Sequence, residues 1–188
     1  MKKLKMKYII GIQLVLTLFG TVLAVVTLVR ALQAPTLLGV LSSIIYLVAH
    51  LALLFYATKT YSKKDNIYFK GIIYAYAALL GIQILQSGNF ISEYGLPENT
   101  AIIINFLNII SFANVVKFSD FLDEQKTALA YIIIAVVIKF AIEICLIINM
   151  FAFIQIIHIL MSLSIPVLGI TIIVAYIERI KRLEESKN

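Results

Sequence analysis

"IIIAVVIKFAIEICLIINM", Ile132 to Met150, decides the fold class. Its length and apolarity suit the interior of a bilayer, where a helix needs about 20 apolar residues to cross. Yet it holds Lys139 and Glu143, four residues apart. At the centre of a membrane helix a lone charge costs at least about 2.5–3.5 kcal/mol on insertion scales. On a helix, residues four apart lie on one face and can pair. The stretch therefore reads as a spanning helix with an ion pair turned inward. Other helices must shield that pair.

The rest of the chain supports this reading. Of 188 residues, 62% are hydrophobic and 14% charged, against about 45–50% and 25% in soluble domains. The mean hydropathy is +1.00. A soluble core of this size cannot hide so much apolar surface. Six runs qualify as spans: 8–29, 36–57, 67–87, 98–116, 127–149 and 153–177. Tyr8 to Val29 exceeds the roughly 7–15 residues of a signal-peptide core, so it reads as a retained span. Thr127 to Ile177 is nearly unbroken. As one straight helix it would measure about 75 Å, far beyond the bilayer's core, so a turn is expected at Asn149 to Phe153. Pro35 and Pro97 are placed in the first turns of spans two and four. Ser62 with Asp65 resembles a capping box ahead of span three. Asp120, Asp123 and Glu124 favour a helix start before span five. "GNFISEYGLP", residues 88–97, is expected as the longest external connection. The charged tail after Ile177 is expected to continue span six.

Basic residues set the orientation. In a six-span chain, Lys2, Lys3, Lys5 and Lys7 fall on the same side as Lys59, Lys63, Lys64 and Lys70. Lys117, Lys126, Arg179, Lys181, Arg182 and Lys187 join them, leaving Arg30 opposite and Lys139 within the membrane. By the positive-inside rule both termini are cytoplasmic. The expectation is an all-α integral membrane protein: one polytopic domain, 1–188, forming a six-helix bundle in the cytoplasmic membrane. Heavy use of Ile, Lys and Asn without Trp is in keeping with a bacterial source.

Polar residues inside membranes turn toward other helices. Gln13, Thr17, Gly20, Ala24 and Thr27 share one face of span one, where small and hydroxyl side chains suit close packing. Gly39, Ser43, Tyr46 and His50 align in span two, and Gln155, His158, Ser162, Pro166 and Gly169 in span six. Pro166 is expected to bend that helix and turn Gln155, His158 and Ser162 inward. In span four, Asn105, Asn108, Ser111 and Asn114 recur every third residue and so wind around the helix. The candidates for a ligand or transport path are Lys139, Glu143, His158, Gln155, Ser162, Asn105, Asn108 and His50.

No phosphate-binding glycine loop, HExxH or Cys/His cluster occurs, so no cofactor or metal is expected. The lone Cys145 makes no internal disulfide. Ser111, His50 and His158 occupy the spans that carry the serine and histidines of rhomboid proteases. However, Ser111 lies in "NIISFANV", without the Gly-x-Ser-Gly turn of that family, and the reading is set aside. In length and topology the chain resembles the six-helix substrate-binding subunits of bacterial vitamin uptake transporters, and no motif carries that likeness further. The expected function is binding or movement of a small solute, alone or as one subunit of a transporter. The alternative is a structural or regulatory subunit whose polar groups serve helix packing and docking. Expected partners are the lipid bilayer, a small solute, and another membrane subunit or a second copy. Nucleic acid is not among them.

Overall fold

The structure, a computed structural model, describes residues 2–33, 35–60, 66–94, 97–150 and 156–185. They form six α-helices: α1 Lys2–Gln33, α2 Leu37–Thr60, α3 Asn66–Tyr94, α4 Glu98–Asp120, α5 Gln125–Met150 and α6 Ile156–Glu185. No strand occurs among the described residues. Five helices are long and apolar enough to cross a membrane, through the segments Gly11–Gln33, Leu37–Tyr56, Glu98–Asp120, Gln125–Ile148 and Leu163–Lys181. The apolar part of α3 is shorter, Phe69–Leu85.

The helices differ from the sequence expectation mainly at their ends. α1 starts in the lysine-rich segment, because lysine is a good helix former and nothing there breaks the helix. α3 runs through Tyr94, so most of the expected 88–97 connection is helical. Isolated Ser, Gly and Asn do not stop a helix; Pro97 does, by restricting the residue before it. Pro97 is extended (φ −55°, ψ 136°) and precedes the first residue of α4 rather than lying in its first turn. Pro35 likewise precedes α2. α4 continues to Asp120, and the turn to α5 is Phe121–Glu124. There Glu124 accepts the first hydrogen bond of α5, from the Ala128 amide at 2.9 Å. α5 extends through Met150 and α6 begins at Ile156, so Asn149 and Met150 belong to the helix. Residues 151–155, with Gln155, lie outside the described residues, as does the Ser62–Asp65 cap.

Each helix packs on its neighbour in sequence, and α6 returns to α1, closing a ring. α3 also reaches α6 across the interior. Accordingly α3 is apolar on nearly all sides: Ile72, Ile73, Ala75, Tyr76, Ala77, Leu79, Leu80 and Ile82 are buried, as expected for a helix surrounded by protein. α4 and α5 run antiparallel. Asn108 meets Lys139 and Ser111 meets Ala135, so residue numbers fall on one helix as they rise on the other.

α1 is attached through its small and polar face. Gln13, Thr17, Gly20 and Ala24 are buried, while Ile12, Val15, Leu18, Val22, Val25 and Val29 face outward. A Cβ on Gly20 would collide with the imidazole of His50. Only glycine lets α1 approach α2 this closely. Near the α4–α5 turn, Phe69, Phe118 and Tyr176 form an aromatic cluster from α3, α4 and α6. The Tyr176 hydroxyl donates to the Leu122 carbonyl at 2.9 Å.

Candidate functional site

Helical spacing alone places Lys139 and Glu143 on one face of α5. The Lys139 ammonium lies 2.6 Å from Glu143 Oε1. It also donates to Asn108 Oδ1 of α4 at 3.1 Å. Lys139 is 1% exposed, Glu143 2% and Asn108 4%. The ion pair is therefore enclosed by protein, and its ammonium is satisfied from two helices. Ile104, Ile142 and Leu146 form a separate apolar cluster beside it on the same two helices.

Glu143 also faces the bundle's interior. Tyr76 is fully buried, and its hydroxyl has no hydrogen-bond partner among the described residues. The oxygen lies against α6: a Cβ on Gly169 would stand 2.6 Å from it and 2.5 Å from a methyl of Val136. Gly169 thus makes room for the phenol where α3, α5 and α6 converge. Asn105, one turn from Asn108, is half-buried, and its Oδ1 is buried without a partner.

Three sequence candidates are brought together: Lys139, Glu143 and Asn108. Asn105 adjoins them on α4. His50 is buried elsewhere, at the α1–α2 interface. Its Nδ1 lies 2.9 Å from the Tyr46 carbonyl. A carbonyl only accepts, so Nδ1 carries the proton in this contact. The imidazole also meets the Tyr46 ring edge-on, with centroids 4.4 Å apart. His158 and Ser162 belong to α6, but their side chains lie outside the described residues, and with them the expected inward turn before Pro166. Pro166 itself is buried within the helix.

The remaining polar residues of α4 bond locally or across one interface. Ser111 donates to the Ala135 carbonyl at 2.9 Å, and Asn114 to the Ile110 carbonyl at 2.8 Å. The Ser111 proton is thus committed to backbone rather than to an imidazole. This agrees with setting the rhomboid comparison aside. Cys145 lies on an exposed face of α5.

Sequence reasoning overlooked Tyr76, which is buried where α3, α5 and α6 converge. Tyrosine in a membrane helix usually reads as an aromatic of the interface belt. The available signal was the setting of Tyr76 between Ala75 and Ala77, deep in an apolar run with no charge nearby. Such a phenol brings a hydroxyl to a place where only protein can satisfy it.

No protein-family model, curated protein or solved structure matches the chain. The site is therefore read from its own chemistry.

Proposed function

We propose that the chain is a six-span protein of the cytoplasmic membrane, with both termini inside, that binds or moves a small polar solute through the Lys139–Glu143–Asn108 centre. It does so alone or as one subunit of a larger transporter. The distribution of lysine and arginine supports the orientation, and the surrounded α3 serves as the sixth span.

One observation carries the functional reading: an ion pair, Lys139–Glu143, is buried inside an apolar helix and held from a second helix by Asn108. An ion pair in a low-dielectric interior is often no better for stability than apolar residues of the same volume. Membrane helices seldom keep ionisable groups except along substrate, ion or proton paths. Buried polar atoms are also rarely left unpaired, yet Tyr76 Oη and Asn105 Oδ1 have no partner among the described residues. A solute that enters this region supplies what they lack. The enclosed pair then corresponds to the resting, solute-free state.

The second reading is a structural subunit. It is favoured by the near-complete enclosure of Lys139 and Glu143 and by the bond to Asn108, which ties α4 to α5 in one register. Native mass spectrometry of the protein purified from its own membrane separates the two. A small molecule retained by the wild type and lost from the Lys139→Met, Glu143→Gln double variant supports the solute site. No adduct in either, with the double variant equally stable, leaves the structural reading standing.

A further inference from the structure

We infer that the solute is a zwitterion, whose carboxylate takes the place of Glu143 at Lys139 and whose ammonium takes the place of Lys139 at Glu143. The inference rests on the reading of this cluster as a solute site and names the class of solute.

Charge balance comes first. Lys139 and Glu143 neutralise one another in a place where unpaired charge is expensive. A cation that binds Glu143 strips Lys139 of its counterion, and an anion that binds Lys139 strips Glu143. A solute carrying both charges inserts between them and leaves every charge paired. Because both residues stand on one helix at successive turns, each needs only a new side-chain rotamer to separate from the other. No helix has to move to break the contact.

The surrounding groups match the exchange. Asn108 holds the ammonium of Lys139 from α4, so Lys139 keeps one partner while Glu143 is released. Asn105, one turn from Asn108 on α4, has a buried Oδ1 with no hydrogen-bond partner among the described residues, an acceptor suited to an ammonium.

The test uses the full chain in lipid nanodiscs. Its thermal unfolding is followed with glycine, β-alanine or γ-aminobutyrate, and separately with acetate or ethylammonium. At least one zwitterion is expected to raise the unfolding temperature saturably, while acetate and ethylammonium do not. The effect should vanish in the Lys139→Met, Glu143→Gln double variant, which keeps no unpaired charge and also controls for general osmolyte stabilisation. If acetate or ethylammonium alone stabilises the wild type but not the double variant, the zwitterion class is wrong and the solute site survives. If none of the three zwitterions shifts the wild type, the inference is overturned. Native mass spectrometry then decides the broader reading: a small molecule retained by the wild type and lost from the double variant keeps the solute site, and no adduct in either removes it.

Discussion

Asn108 accepts a hydrogen bond from Lys139 across the α4–α5 interface at 3.1 Å, so the ammonium is anchored by two helices instead of one. The i, i+4 contact with Glu143 by itself would rigidify only α5. The amide turns a pair within one helix into a link between helices.

Asn108→Leu should therefore destabilise the bundle by about 1.5–3 kcal/mol, the range for a hydrogen bond to a charged group. Ser111→Ala, one turn away, loses a bond from a neutral hydroxyl to the Ala135 carbonyl and should cost about 1 kcal/mol. Unfolding in mixed micelles under added denaturing detergent ranks the two. Equal effects would show that Asn108 does not bear on the charge.

Lys139→Met and Glu143→Gln should each cost about 3–5 kcal/mol, because either one leaves a buried group without its counterpart. Combined, they should return stability to within about 1 kcal/mol of wild type. A double-mutant cycle measures the coupling. Additive losses would mean that the two charges do not act as a pair.

Gly20→Leu should weaken the α1–α2 contact by about 1–3 kcal/mol, since the new side chain must displace His50. Gly11→Leu is the control, as nothing lies within 4 Å of a Cβ placed there. It should be neutral or slightly stabilising, because leucine is the better helix former. Thermal unfolding of both variants in one detergent gives the comparison.

In a Cys145→Ala background, a cysteine at Gly95 should react with an impermeant thiol reagent on intact cells. One at Ser62 should react only after the cells are opened. The reverse pattern would invert the orientation, and labelling of both from outside would break the six-span arrangement.

The sequence displayed the all-helical, membrane-length character of the chain because a bilayer imposes a length on each apolar run. The ends were harder to read. α3 persists through Gly88 and Asn89, residues that resemble a loop in sequence but do not interrupt hydrogen bonding. The Lys139–Glu143 contact was legible because both partners stand on one helix. The role of Asn108 was only half legible. Its cost in lipid marked it as needing a partner, but which helix supplies that partner depends on how α4 rotates against α5. The steps of three in Asn105, Asn108, Ser111 and Asn114 concealed this, since no single face stood out. Tyr76 was not legible, because its importance lies in what surrounds its hydroxyl. Gly169 permits that approach from α6, and nothing in the local sequence of α3 announces it.

The hydrogen bond from Tyr176 to Leu122, with the rings of Phe69 and Phe118 around it, fastens α6 to the α4–α5 turn at a point well inside the helix, which runs on to Glu185. From Tyr176 to Ile156 the helix is about 30 Å long, and from Tyr176 to Gly169 about 10 Å. A tilt of about 5° around this point would carry the first turn of α6 some 2.6 Å sideways but shift Gly169 by only about 0.9 Å on that lever arm. The phenol of Tyr76 would keep its seat while the far end of the bundle opened by nearly the width of a water molecule. The anchor thus sets a ratio for any such tilt: about three times more travel at Ile156 than at Gly169.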